Sequence, residues 1–340
     1  MSTAARVTGI VVAHRSGEAL TRCLDSLRRA RGLVEAIVVD NGDGGPELDA
    51  ARQLAGVRIV SPGENLGYAR GCNAGAEEAR GDVLLFLNPD TEVHPDAVAA
   101  LAGALADPEI GVAMPRLRLL DEPERLNSAG NVVHVTGIAW PGGYREPADS
   151  LTEQQDVGYA SGAALAIRAD LFRELGGFAE ELFLYQEDLE LSWRARLAGH
   201  RVVVEPAADV LHAYRYEPLD PEKHYWLERN RLVFVLTAYS AWLLLLLSPV
   251  LVSVEIALAL LARREGWWPE KRRGWTWILR NWGTVRRLRA RTQGLRKTPD
   301  RDAARFLATR LDPGMREVPP AAANLEPLLR GYWAVARRLL

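Results

Sequence analysis

Residues Gly81 to Val93 read GDVLLFLNPDTEV, and no other stretch narrows the possible folds of the chain as far. Val83 to Leu87 are five apolar residues in succession, the pattern of a short strand covered on both faces in a parallel sheet. The run ends at Asn88, Pro89 and Asp90. Pro89 cannot donate to a sheet ladder, so Asp90 falls just past the carboxyl end of the strand, where open α/β sheets bind their ligands. A carboxylate there suits a divalent cation such as magnesium or manganese, which bridges to a diphosphate. Taken alone, Asp90 serves equally as a helix cap or as the start of an Asx-turn before Thr91 and Glu92.

The surrounding pattern decides the fold class. Val7 to Ala13 reads as a strand, and Glu18 to Ala30 as a helix with Leu20, Leu24 and Leu27 on one face. Ala36 to Val39 is a second strand ending in Asp40, and Val57 to Val60 a third. Asn65 to Ala79 and Asp96 to Ala106 are predicted helices on either side of the central strand. Strands alternating with helices imply right-handed crossovers. The expected fold is therefore α/β, a Rossmann-like, mostly parallel sheet with helices on both faces.

Two common phosphate-binding signatures are missing. The turn after the first strand, His14 to Glu18, has no G-x-G-x-x-G, and no G-x-x-x-x-G-K-[ST] occurs anywhere, which argues against nicotinamide and P-loop enzymes. Gly63, Gly67 and Gly71 come later, in PGENLGYARGCNAG, with Arg70 among them as a candidate phosphate partner. These glycines fit either a close approach of backbone to ligand or a turn followed by helix–sheet packing.

The 340 residues are 48% apolar and 25% charged, ordinary values for a globular chain with room for one large α/β domain and an appendage. The net charge of −2 conceals an asymmetry, because residues 263–297 hold twelve Lys or Arg against Glu265 and Glu270. Cys23 and Cys72 are too few and too isolated for a disulfide framework, which points to a reducing compartment. The first twenty residues are too polar for a secretory signal, so the protein is expected in the cytoplasm or at the cytoplasmic face of its membrane.

Four blocks in order, AIVVDNG (36–42), NLGYARGCNAG (65–75), GDVLLFLNPDTEV (81–93) and SGAALAIRADLFRELGGFAEELFLYQEDLELSWRARLAGHRV (161–202), resemble the family 2 glycosyltransferases, which have the GT-A fold. The likeness spans about residues 7–231 and is nearest to the rhamnosyltransferase-like members. It implies a GT-A domain over 1–230, with a nucleotide-sugar half over 1–114 and an acceptor half over 115–230. A helical, hydrophobic and basic appendage follows over 231–340.

The resemblance also implies roles. Asp40 would accept a hydrogen bond from the nucleotide base, with Asn65, Gly67, Arg70, Asn73 and Asn88 completing the donor site. Asp90 would ligate Mg2+ or Mn2+, joined by His212 in ADVLHAY. The family's D-x-D has Asn88 in its first place, a neutral oxygen, so the metal would rest chiefly on Asp90 and the nucleotide. In LYQEDLELSWRAR, Asp188 would be the catalytic base with Glu187 beside it, and Ser161, Gly162, Glu190 and Trp193 would lie on the acceptor side. Like charges at Glu187, Asp188 and Glu190 raise at least one pKa, which suits a base; the same acids also suit the first turn of a helix. The long segment from Pro115 to Asp156, rich in Gly and Pro, is expected to be irregular and to flank the acceptor.

Leu232 to Val254 is 23 residues without a formal charge, long enough to span a bilayer. A single span leaves the nucleotide-sugar half and the basic stretch on opposite sides, and 31 residues between Arg231 and Arg263 are too few for two. A peripheral appendage is expected instead, with Trp267, Trp268, Trp275, Trp277 and Trp282 at headgroup depth and arginines on anionic lipid. The strong apolar run argues against nucleic acid. The remainder, Pro-rich around Pro319, should end in a short amphipathic helix.

The resulting expectation is an inverting transfer from a nucleoside-diphosphate sugar, dTDP-rhamnose or a UDP-sugar, to a hydroxyl of a glycan or lipid-linked acceptor. A sugar-phosphate nucleotidylyltransferase would want a Gly-rich, Arg-containing loop after the first strand, which His14 to Leu20 does not supply. A binding protein that has lost its base is disfavoured by the presence of both Asp90 and Asp188.

Overall fold

A computed structural model describes residues 5–42, 44–214, 220–314 and 320–340. In chain order the first elements are β1 (Val7–Ala13), α1 (Glu18–Arg28), β2 (Leu33–Asp40), α2 (Pro46–Arg52), β3 (Val57–Val60) and α3 (Gly67–Glu77). Next come β4 (Val83–Leu87), β5 (Thr91–Val93), α4 (Ala97–Ala104), β6 (Ile110–Leu119), β7 (Leu126–Ser128), β8 (Asn131–His134) and β9 (Ala139–Pro141). The chain continues through β10 (Gln155–Asp156), β11 (Ala164–Arg168), α5 (Ala169–Leu175), α6 (Glu187–Leu197) and β12 (Arg201–His212). Its helical end comprises α7 (Pro221–Ala238), α8 (Ala241–Glu265), α9 (Trp268–Arg280), α10 (Trp282–Gly294), α11 (Asp300–Ala303), β13 (Leu307–Ala308) and α12 (Pro320–Ala336). These form two compact units, one from described residues within 1–131, 141–195 and 200–215, the other from 132–140, 196–199 and 216–340.

The first unit is built on one mixed sheet in the order β10-β12-β6-β11-β4-β1-β2-β3, with β5 on β12 and β7 on β6. Strands β4, β1, β2 and β3 are mutually parallel. β11 runs antiparallel to both β4 and β6 and so stitches the two halves together. All residues of β1 and β4 are buried, as their uninterrupted apolar runs require. Leu20, Cys23, Leu24 and Leu27 form the inward stripe of α1. Helix α3 lies close on β1 because it carries glycine at the contact. A Cβ on Gly71 would stand 2.9 Å from Val12 and one on Gly75 2.5 Å from Ile10.

Several elements depart from the sequence pattern. Helix α2 was not signalled by periodicity; Pro46 at its first turn follows Gly45. The segment expected to be irregular between Pro115 and Asp156 is irregular over most of its length, interrupted by the end of β6 and the short strands β7 to β10. Strand β12 runs through Pro206 because its register against β6 shifts between Glu205 and Asp209, so the proline that cannot donate sits in the irregularity.

In the second unit, β13, β8 and β9 make a three-stranded sheet. Tyr239, just past α7, donates its hydroxyl to the Val135 carbonyl at 3.1 Å and Arg231 donates to the Thr136 carbonyl at 3.1 Å, tying the end of α7 to the turn between β8 and β9. The uncharged run from Leu232 divides into two helices at Tyr239 and Ser240, where the Ser240 hydroxyl caps α8 by accepting from the Leu243 N–H at 2.9 Å. Four of the five tryptophans expected at a membrane surface make contacts within this unit, Trp267 buried and the other three half-buried. Trp267 stacks on His224 with ring centres 4.6 Å apart, and Trp268 meets Trp275 edge-on at 5.4 Å. Trp275 donates to Glu255 at 2.5 Å, and Trp277 lies 4.4 Å from the Arg229 guanidinium. Trp282 is exposed. Pro319 lies outside the described residues.

Candidate active site

Asp90 occupies the turn from β4 to β5, held by the Thr91 N–H and hydroxyl, which donate to the Asn88 carbonyl at 3.3 and 2.8 Å. β5 pairs antiparallel with β12, placing His212 opposite Thr91. The Ala213 N–H donates to the Asp90 carbonyl at 3.0 Å, and His212 Nε2 comes to 3.4 Å from Asp90 Oδ1. His212 is buried, and its Nδ1 lies 2.9 Å from Asn127 Oδ1.

Asp90 Oδ1 is buried without a hydrogen-bond partner and faces His212 Nε2 across 3.4 Å. A carboxylate oxygen and an imidazole nitrogen are a suitable donor pair for manganese or magnesium. The pair therefore fits a divalent cation. Among the described residues there is no cluster of three or more His, Cys, Asp or Glu that could hold a metal.

The second carboxylate group stands at the start of α6. The Gly162 N–H donates to Asp188 Oδ2 at 2.8 Å, and the Leu189 N–H lies 2.7 Å from Oδ1. Removal from water pushes the Asp188 pKa up to about 6, against the pull of these peptide donors. Burial pushes Glu187 well above the ordinary carboxylate range, and the Asp188 charge adds to it. Glu187 Oε2 is buried without a hydrogen-bond partner. Just before this pair, Phe183, Tyr185 and Gln186 all adopt positive φ, at 63°, 68° and 64°. Left-handed backbone at three non-glycine residues is strain of the kind held at functional sites.

One short segment connects the two carboxylate loops. Ala164 pairs with Leu87 at the end of β4, and the Ala163 carbonyl accepts from the Asn88 N–H at 3.0 Å, two residues before Asp90. The adjacent Gly162 holds Asp188 through its N–H, while its carbonyl accepts from the Tyr68 hydroxyl at 2.6 Å. Ser161 closes the turn, its hydroxyl accepting from the Ala163 N–H at 3.3 Å.

The donor-side loops are interlocked by side-chain amides. Asp40, at the end of β2, accepts from the Gly42 and Gly44 N–H groups at 3.3 and 3.2 Å and from the Ser61 hydroxyl at 3.4 Å. Asn41, fully buried, donates to Asn65 Oδ1 at 3.0 Å and accepts from the Leu66 N–H at 2.8 Å. Asn65 in turn accepts from the Gly67 N–H at 2.9 Å. Gly67 has φ 75°, and a Cβ there would stand 2.4 Å from the Phe183 ring, so only glycine allows this loop to meet the strained one.

The other expected residues have different surroundings. Asn73 donates to the Phe178 carbonyl and to Glu180, both at 3.1 Å, and accepts from the Phe178 N–H at 2.9 Å. Arg70 is exposed, 3.9 Å from Glu64 and 3.7 Å from Glu180. Glu190 is buried and receives two bonds from Arg194, at 2.7 and 2.6 Å, so its charge is answered inside the helix. Trp193 is among the largest fully buried side chains. Asn41, Tyr68 and Asn127 were not foreseen. Asn41 lies within the AIVVDNG block, whereas nothing in the local sequence of Asn127 signals its histidine partner.

A mixed α/β sheet of the GT-A type, with an acidic turn after its central strand and a buried acid pair opening α6, is the architecture of a glycosyltransferase. The chain belongs to glycosyl transferase family 2, whose signature matches residues 8–176. It is similar to the N-acetylglucosaminyl-diphospho-decaprenol L-rhamnosyltransferase of Mycobacterium tuberculosis strain H37Rv, 31% identical over 269 residues, 68% of this chain and 85% of that protein. A pre-mycofactocin glycosyltransferase of the same strain is 28% identical over 226 residues, 66% of this chain and 45% of that protein.

Solved structures share the fold. GalNAc-T7 with UDP, GalNAc and Mn2+ superposes with TM-score 0.58 at 19% identity, over 68% of this chain and 48% of that one. The mannosyltransferase PcManGT from Pyrobaculum calidifontis, in complex with GDP-Man and Mn2+, gives TM-score 0.52 at 17% identity, over 99% of this chain and 85% of that one.

Proposed function

We propose that this glycosyltransferase moves L-rhamnose from dTDP-L-rhamnose to a hydroxyl of a lipid-linked or polysaccharide acceptor, with inversion at the anomeric carbon and at the cytoplasmic face of a membrane. One observation supports the catalytic part most strongly: residues 162–164 bond to the Asp188 carboxylate on one side and to Asn88, beside Asp90, on the other. The choice of sugar and acceptor rests on the mycobacterial rhamnosyltransferase similar to this chain. A UDP-sugar is the second donor to try.

In this scheme Asp40 accepts from the nucleotide base, and Arg70, exposed beside the glycine turn, closes on the diphosphate. Asp90 and His212 would hold Mg2+ or Mn2+, which when bound neutralises charge building on the departing diphosphate. Asp188, ionised above pH about 6, accepts the proton of the acceptor hydroxyl as its oxygen attacks the anomeric carbon opposite the diphosphate. Glu187 keeps its own proton beside it. With one displacement and no separate nucleophile, the product is inverted.

The test is transfer with a panel of nucleotide sugars and a polyprenyl-diphosphate-linked glycan, followed by the anomeric configuration of the product by NMR. Preferred use of dTDP-L-rhamnose with inversion is expected. Preference for another nucleotide sugar overturns the donor assignment, and retention overturns the role of Asp188.

A further inference from the structure

Helix α8 is the one helix among the described residues long and apolar enough to cross a membrane, with 25 residues and a mean hydropathy of 2.5 in its most apolar window. Its two sides differ. Leu243, Leu247, Ala259 and Ala262 are buried within the unit. Glu255, the single charge between Ala241 and Ala262, turns inward as well, where it meets Lys271 at 2.8 Å and pairs with Arg231.

The outward side carries Trp242, Leu245, Val252, Ile256 and Leu260, each between 49% and 61% exposed. These recur at helical spacing and make an uncharged stripe about 27 Å long, given a rise of 1.5 Å per residue. The stripe ends at exposed Arg263 and Arg264. Helix α12 and the 3-10 turn that follows it (Arg337–Leu339) add a second stripe of Leu328, Tyr332, Val335 and Leu339, with Arg337 and Arg338 exposed in that turn. The two helices are joined where Trp242 donates to the Leu339 carbonyl at 2.9 Å and the Tyr332 hydroxyl donates to the Leu246 carbonyl.

We infer that the outward faces of α8 and α12 form an anionic-lipid docking surface on which α8 lies in the plane of the membrane rather than across it. A helix that spans is surrounded by lipid, which would strip Glu255 of Arg231 and Lys271 and leave a carboxylate in hydrocarbon. An in-plane helix keeps that face on the protein and sinks only its apolar side, with arginines at the headgroups. Uncharged stripes closed by arginines match an acidic bilayer, whereas a second copy of the chain would bring its own four arginines against these. The lipid contact is thereby assigned to Trp242–Leu260 and Leu328–Leu339, away from the tryptophans of α9.

This deepens the membrane contact proposed above, and its test uses no sugar donor, so failure here is separable from failure of the transferase assignment. The full-length protein is sedimented with vesicles of phosphatidylcholine alone or with one-third phosphatidylglycerol. The expected result is binding to the acidic vesicles, weakened at least tenfold by the double variant Leu245→Glu/Ile256→Glu, with thermal unfolding unchanged. Arg263→Ala/Arg264→Ala, which keeps the apolar face, should weaken binding to acidic vesicles and flatten its salt dependence. The inference is overturned if the Glu variant binds as the parent does. It is overturned equally if the parent ignores vesicles and is a dimer in solution that the Glu variant converts to monomer.

Discussion

Each unit buries a pair of carboxylates, and the two pairs are driven in opposite directions. In the first unit Glu187 and Asp188 are removed from water with only peptide donors for company, and both pKa values rise. In the second, Glu228 is as far removed and Glu255 partly so, but they share Arg231 and Lys271, and both values fall, Glu228 to about 2. Lys271 reaches the two carboxylates at 2.6 and 2.8 Å, and Arg231 contacts both, so the four charges close a ring across α7, α8 and α9. Burial is common to the two sites; the cations decide the outcome. The carboxylate proposed to take a proton is left without one, and the carboxylates that hold helices together are given two.

The largest effect is expected at the uncompensated pair. Asp188→Asn should lower transfer by about 10²- to 10⁴-fold, the usual worth of a general base, while donor binding measured by calorimetry stays close to the parent. Loss of donor binding in its place would remove Asp188 from that role.

The compensated pair should respond in stability. Lys271→Met leaves Glu228 and Glu255 sharing one cation and should cost about 3–5 kcal/mol in urea unfolding of the second unit. A cost below about 1 kcal/mol would mean the ring is solvated like a surface pair. The sign with pH follows from the depressed values. The contribution of Glu228 is present above its ordinary pKa of 4.5 and is lost as pH falls toward about 2. At Asp188 the raised value works the other way, with a penalty complete above pH about 6 and relieved as pH falls toward 3.8.

The smallest effect is expected at Glu187. Transfer by the parent should fall on an acid limb near pH 6, where Asp188 takes up its proton. Glu187→Gln preserves a neutral side chain and should leave that limb in place with activity within about tenfold of the parent, on the general-base scale. A limb displaced by a full unit would show that Glu187 ionises in the working range.

Much of the first unit could be read directly from the chain. The apolar run Val83 to Leu87 falls on a strand with the same bounds, because a strand covered on both faces leaves no polar position to blur its ends, whereas the second strand extends three residues before Ala36. Helix ends were less legible. The predicted helix Asn65 to Ala79 begins two residues later, since the Asn65 side chain is spent on Asn41 and Gly67. Glu190 and Asp188 are indistinguishable in EDLELSW, yet one faces Arg194 four residues on and the other faces Gly162. Their spacing on α6 turns them to different sides of the helix, and only the neighbours on each side assign a role.

From the order of its residues alone the chain determined an alternating α/β sheet, an aspartate past the end of its central strand and an acidic opening to α6, because periodicity and turn chemistry are local. What tertiary structure decided is which distant groups meet. β12 carries His212 to within 3.4 Å of Asp90, residues 162–164 tie Asn88 to Asp188, and α9 brings Lys271 to Glu255. Each of these depends on strand register or helix packing over tens of residues, and the charge a buried carboxylate adopts depends on which of them it finds.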